Sequence, residues 1–211
     1  MPPRASLAPY AGNAYDKYVT RHPVERRLVS GFLGGLDDLW EQAGGAGLSS
    51  ILDVGCGEGR ITGTWARRIP HGTVVGLDRP SSRLDVIWRA RAAENLRFVA
   101  GDATALPFGD GAFELVSGVE LLEQVSEPER ALAELTRVAR RWVLVSVPRE
   151  PVWRALNVAR GAYVRWLGNP PGHVNHWSRR AFTDLAGRHA PVAAVRTPFP
   201  WTMVLLRVPA P

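Results

Sequence analysis

Between Ser50 and Val147 five short apolar runs alternate with helical stretches, and this alternation constrains the fold more than any other feature. The runs fall at 50–54, 73–77, 96–100, 113–119 and 142–147, and each is apolar on both faces. Strands of that kind belong to a parallel sheet covered by helices on each side. Helical spacing fills the intervals at 61–69, after Pro80 (a residue suited to a first helical turn), and at 128–139. Upstream, Val24, Leu28, Phe32, Leu36 and Leu39 predict a helix over 23–43, with an aperiodic arm before it and a glycine-rich loop at 44–47. Downstream of Pro148 the rhythm breaks into a helix over 152–167, a Gly/Pro/His-rich loop over 168–176, a helix from Ser178, and strands at 192–197 and 202–208. Neither a repeat nor a long linker divides the chain. We expect a single domain over 1–211: arm and first helix 1–47, core 48–147, insert 148–190 and closing strands 191–211.

Composition narrows the class. With 45% hydrophobic and 22% charged residues, 211 residues can bury a sizeable core and do not read as a disordered chain. No apolar run approaches the ~20 residues that span a bilayer, and Met1-Pro2-Pro3-Arg4 opens no signal peptide. The single cysteine, Cys56, can neither close an internal disulfide nor build a cysteine-rich metal site. The expectation is a soluble cytoplasmic protein, monomer or homodimer. A net charge of +6 raises the question of nucleic acid. However, Lys17 is the sole lysine, the arginines lie among acids and apolar residues, and no five basic residues are consecutive. That pattern reads as a compositional bias, and nucleic acid is not the expected partner.

The chemistry is concentrated in Asp53-Val54-Gly55-Cys56-Gly57-Glu58-Gly59, between the first strand and the helix after it. Glycines there let the backbone turn sharply and approach a ligand at the carboxyl end of a strand, where open α/β sheets bind nucleotides. Asp78 closes the second strand, 25 residues beyond Asp53, and is placed to accept bonds from ribose hydroxyls. Gly101-Asp102-Ala103 follows the third strand, where an acid can contact an adenine amine. A dinucleotide fingerprint would need Gly-x-Gly-x-x-Gly, whereas here position 60 is Arg60. No Gly-Lys-Ser/Thr phosphate loop is present. A nucleoside ligand without a pyrophosphate fits better than NAD.

At these residues the chain resembles the class I S-adenosylmethionine-dependent methyltransferases. The segment 51–59 is similar to their first motif, Asp78 to their acid after strand two, and Gly101-Asp102-Ala103 with Leu106-Pro107-Phe108 to their third motif. Phe113-Glu114-Leu115-Val116, running into Glu120-Leu121-Leu122-Glu123-Gln124-Val125, is similar to the fourth. The resemblance covers 48–147. It implies a Rossmann-like, mostly parallel seven-strand sheet with an antiparallel last strand, layered αβα. It also implies S-adenosylmethionine as cofactor and S-adenosylhomocysteine as product. Gly55, Gly57 and Gly59 would line the methionine side, Asp78 would hold the ribose, and Asp102 and Ala103 would flank the adenine. Asp53, Cys56, Arg79 and Glu120 fall within or beside these motifs and are counted with the cofactor site. Where the family often has histidine after the fourth-motif glutamate, Gln124 stands here.

Contacts to a methyl acceptor must come from outside this core. Glu120 and Glu123 follow strand four, and one of them is expected to face the methyl group. His173 and His176 are candidate general bases in the insert, against a plain role as loop braces. No third ligand or His-x-x-x-His pair accompanies them, so no metal is expected. Asn169-Pro170-Pro171 imitates the motif of nucleic-acid amino-methyltransferases but lies one strand too late. Eight tryptophans lean toward a flat or apolar acceptor, while core packing accounts for several. Arg149, Arg154 and Arg165 can clamp an anion or simply face solvent. The insert, together with Tyr15-Asp16-Lys17-Tyr18 and Pro198-Phe199-Pro200-Trp201, is similar to segments of actinobacterial-type methyltransferases of unassigned acceptor. The leading expectation is methyl transfer to oxygen or carbon of a small metabolite. RNA methylation and a non-catalytic cofactor-binding partner module are the alternatives.

Overall fold

A computed structural model describes residues 22–209; the arm and Tyr15-Asp16-Lys17-Tyr18 lie outside the described residues. Seven strands form one sheet in the order β3-β2-β1-β4-β5-β7-β6. The first five are β1 (Ser50–Val54), β2 (Thr73–Asp78), β3 (Leu96–Ala100), β4 (Phe113–Val119) and β5 (Ala139–Pro148), all parallel. β7 (Trp201–Arg207) runs antiparallel to both β5 and β6 (Val192–Arg196). Helices α1 (Pro23–Gln42), α2 (Arg60–Arg68), α3 (Ser82–Arg91), α4 (Pro128–Val138), α5 (Val152–Ala159) and α6 (Arg179–Gly187) surround it.

Successive side chains on a strand point to opposite faces, so each apolar strand feeds two cores. Leu52, Val54, Val143, Val145, Val204 and Leu206 pack with Leu132 and Leu135 of α4 and Phe182 of α6. Ile51, Trp142, Leu144, Met203 and Leu205 pack on the other face with Phe32, Leu36, Leu39 and Trp40 of α1 and Trp65 of α2. This is the expected three-layer arrangement. Five of the eight tryptophans, Trp40, Trp65, Trp88, Trp142 and Trp201, are buried core residues.

The insert departs from expectation. The helix predicted over 152–167 ends at Ala159, because Gly161 (φ 73°), Tyr163 (φ 53°) and Leu167 (φ 50°) adopt left-handed conformations that an α-helix cannot contain. A 3-10 turn, Val164–Trp166, replaces the lost portion. The chain then crosses α5 at Gly168, where a Cβ would run into the Arg154 carbonyl. α6 begins as expected, with the Ser178 hydroxyl accepting the Ala181 amide at 3.2 Å as its N-cap.

Candidate active site

The glycine loop leaves β1 between its neighbours β2 and β4, at the carboxyl edge of the sheet. Gly55 (φ 75°), Gly57 (φ 53°) and Gly59 (φ 74°) are all left-handed, a run that L-residues with side chains resist. Space forbids side chains as well: a Cβ on Gly55 would lie 2.8 Å from Leu121 Cδ1, and one on Gly59 2.5 Å from Phe98 Cε1. The Gly55 and Cys56 amides donate to the Leu77 carbonyl at 2.7 and 3.1 Å, pinning the loop to the end of β2.

Asp78 ties the loop down from the other side. Its Oδ2 accepts the Gly57 amide at 2.7 Å and its Oδ1 the Arg79 amide at 2.7 Å. A carboxylate offers about four acceptor positions, so both oxygens retain capacity for ribose hydroxyls. Burial raises the Asp78 pKa, against the lowering effect of the two amides. Arg79 itself is exposed, and its amide is the group brought to this carboxylate. Asp102, exposed after β3, accepts the Thr104 amide and hydroxyl on Oδ1, each at 2.8 Å, and these bonds hold its pKa below the usual range. Ala103 beside it is buried.

Asp53 takes a different place from its neighbours. It is 3% exposed, with Oδ2 accepting the Thr62 hydroxyl at 2.6 Å and Oδ1 the Ser117 hydroxyl at 2.7 Å. Burial pushes its pKa up to about 6 despite both hydrogen bonds. The carboxylate joins β1 to α2 and β4 behind the loop. Burial likewise raises the Cys56 thiol, which contacts the Gly57 carbonyl at 3.7 Å.

Beyond β4 the two glutamates separate. Glu120 has φ 53°, and its Oε1 accepts the Trp201 indole N–H at 2.7 Å. That indole lies between Phe32 (ring centroids 4.8 Å apart) and Trp153 (5.5 Å). Glu123 is 2% exposed, and its backbone carbonyl accepts the amides of Val174 and Asn175 at 2.8 and 3.1 Å. It therefore lies under the histidine loop, in a 3-10 turn whose Leu122 and Glu123 are buried. Asn169 clamps that loop. Its Nδ2 donates to the His173 carbonyl at 3.0 Å, and its Oδ1 pairs with His176 Nε2 at 2.8 Å. Among the described residues no group of three His, Cys, Asp or Glu is arranged to hold a metal ion.

Residues to which the sequence assigned no role in the site complete it. The Trp88 indole donates to the Gly57 carbonyl at 2.8 Å and stacks on Phe98 (centroids 5.4 Å, planes 8° apart), so α3 and β3 together support the loop. Thr62, Ser117 and Trp201 act similarly for Asp53 and Glu120. Only the helical position of Trp88 and the position of Ser117 opposite Asp53 on paired strands could have announced them.

Comparison with known proteins agrees with this geometry. Residues 52–144 match the family model described as a methyltransferase domain. An uncharacterised 37.1 kDa protein from a Streptomyces fradiae transposon is 39% identical over 113 residues, 52% of this chain and 32% of that protein. The demethylmenaquinone methyltransferase of Roseiflexus castenholzii is 29% identical over 164 residues, covering 73% of this chain and 68% of its own. The chain thus spans about a third of the first relative and about two thirds of the second. The solved magnesium protoporphyrin IX methyltransferase of Synechocystis PCC 6803, with bound S-adenosylhomocysteine, shares the fold at TM-score 0.65 and 16% identity, over 90% of this chain and 89% of that one. The motif order and the strand order agree with these likenesses: residues 52–144 of this chain match a methyltransferase domain, and the chain has the fold of the solved methyltransferase.

Proposed function

We propose that this protein transfers the methyl group of S-adenosylmethionine to an oxygen or carbon atom of a small apolar metabolite. The observation that carries the reading is the set of groups at three adjacent strand ends: a left-handed glycine loop after β1, Asp78 tied to it after β2, and Asp102 after β3. In this reading Gly55, Gly57 and Gly59 border the methionine portion, Asp78 accepts the ribose hydroxyls, and Asp102 and Ala103 border the adenine. Asp53 contributes by positioning, since both of its oxygens are already engaged behind the loop. The bound cofactor supplies an electrophilic methyl carbon, so orientation can provide much of the catalysis.

Glu120 is the candidate for the acceptor side, because Trp201 holds its carboxylate beside a cluster of Phe32, Trp153 and Trp201. Phe32 and Trp201 are buried, so Trp153, which is partly exposed, is the ring of this cluster that can meet an apolar or planar acceptor. Glu123, His173 and His176 fit better as supports of the insert, given the bonds that tie them to its loop. The same bonds weigh against RNA base methylation, since Asn169-Pro170-Pro171 serves as a loop clamp well removed in sequence from the end of β4. Among the described residues no helix is long and apolar enough to cross a membrane.

Calorimetric titration with S-adenosylhomocysteine, with NADH as control, tests the reading. Saturable binding of the first alone is expected, and binding of NADH alone would overturn it. Silence with both would mean that the glycine loop is degenerate or needs a partner to bind the cofactor, and would move the non-catalytic module forward. Asp78→Ala is expected to weaken S-adenosylhomocysteine binding by roughly 10- to 100-fold, the loss of charge-assisted bonds worth about 1.5–3 kcal/mol. Unchanged affinity in that variant would remove Asp78 from the site.

A further inference from the structure

The insert has an outward surface that the methyl-transfer site does not use. Pro151, Arg154, Ala155, Val158 and Ala159 recur at helical spacing on one face of α5 and, with Leu167, line an open groove of about 490 Å³. Val158 is 43% exposed, Val164 54%, Trp166 59% and Leu167 71%. The opposite face of the same helix is engaged, with Trp153 against Trp201 and buried Asn157 donating to the Gly168 carbonyl at 2.8 Å. Solvent-facing aliphatics and a tryptophan on one short helix and its following turn are uncommon unless something covers them.

Charge says what covers them. The chain has 20 acidic residues, yet none lies between Pro151 and Thr183, where Arg154, Arg160, Arg165, Arg179 and Arg180 do. The nearest acids belong to flanking elements. Glu150 accepts the Arg154 amide at 3.3 Å, Glu25 of α1 meets Arg160 at 3.4 Å, and Asp184 meets Arg180 at 3.7 Å. Apolar side chains rimmed by arginine, with tryptophan at the boundary, match a bilayer interface: the chains enter the headgroup region while the cations meet anionic lipid. RNA would use the arginines but has no use for Val158, Val164 and Leu167.

We propose that the outer face of α5 and the 3-10 turn at Val164–Trp166 dock this protein peripherally on an anionic phospholipid surface. The argument stands on the insert alone and does not depend on the identity of the methyl acceptor.

Flotation of the full chain with vesicles tests it. Phosphatidylcholine vesicles containing phosphatidylglycerol should carry the protein upward, pure phosphatidylcholine should carry far less, and added salt should weaken the binding. The double variant Trp166→Ser/Leu167→Ser, and separately Arg165→Glu, should each lower partitioning by about tenfold. Circular dichroism and S-adenosylhomocysteine titration of the same variants should match the parent, which separates loss of docking from loss of fold or cofactor site. Three results would overturn the proposal: no flotation with either vesicle, equal flotation of the variants, or an RNA gel shift abolished by Arg165→Glu without any vesicle binding. A dimer in sedimentation that the double variant dissociates would assign the face to a second copy instead.

Discussion

Asp53 shows how one residue can be marked by sequence and given its part by burial. An acid before a glycine loop invites a ligand-binding reading, but its oxygens are held by Thr62 and Ser117 in the interior. With its folded pKa raised from 3.8 to about 6, the folded state binds a proton that the unfolded chain has already released. The group therefore adds most stability below about pH 4, and that contribution is lost as the pH rises through 6, by roughly 3 kcal/mol. Asp53→Asn cannot ionise, so urea unfolding of wild type and variant should diverge with pH. The parent should gain on the variant from pH 7 to pH 4, and a pH-independent difference would contradict the buried carboxylate. Asp78 lies at the opposite extreme, since its oxygens engage backbone amides at the loop surface and keep room for a ligand.

At the scale of elements, the loop depends on supports that arrive from elsewhere. α3 contributes Trp88, whose indole satisfies the Gly57 carbonyl while its ring lies on Phe98 of β3. Trp88→Phe keeps an aromatic ring for that stack but leaves the buried Gly57 carbonyl with only the weak Cys56 thiol as donor. The expected cost is about 1–3 kcal/mol in chemical denaturation, with weaker S-adenosylhomocysteine binding, because the carbonyl belongs to the loop itself. A variant that lost stability and kept full affinity would show that α3 supports the fold and not the site. The insert teaches the complementary lesson. Periodicity over 152–167 looks helical, yet Gly161 and two left-handed non-glycine residues redirect the chain. Their conformations depend on contacts such as the crossing of Gly168 over Arg154, which no local pattern contains.

Over the whole molecule, the antiparallel hairpin completes the sheet. β7 sits between β5 and β6 and buries Trp201, Met203, Val204, Leu205 and Leu206. At about 1.5–3 kcal/mol per large buried side chain, these five contribute on the order of 10 kcal/mol, comparable with the ~5–15 kcal/mol by which domains are stable. A chain ended at Ala190 should therefore show no cooperative unfolding transition and no dispersed near-ultraviolet circular dichroism. A cooperative transition would place the stability in β1–β5 alone. Charge is also organised globally. Arginines elsewhere pair with acids, as in Arg68–Asp37 at 2.5 Å, Arg137–Asp110 at 2.7 Å and Arg188–Glu129 at 2.6 Å, so the stretch between Pro151 and Thr183, which has no acid of its own, stands out.

Sequence by itself determined what local rules can write. Apolar runs, helical spacing and glycines where the backbone turns left-handed act within a few residues, so the αβα layering and the glycine loop with Asp78 and Asp102 at successive strand ends were legible. Tertiary structure decided what distant residues do to one another. Asp53 meets Ser117 across 64 positions, and Glu120 meets Trp201 across 81. Those contacts exist because the sheet sets β1 beside β4 and folds β7 back onto β5. Glu123 became a buried support and Glu120 the tethered carboxylate for the same reason: side-chain environment depends on strand order and burial, which are properties of the folded whole.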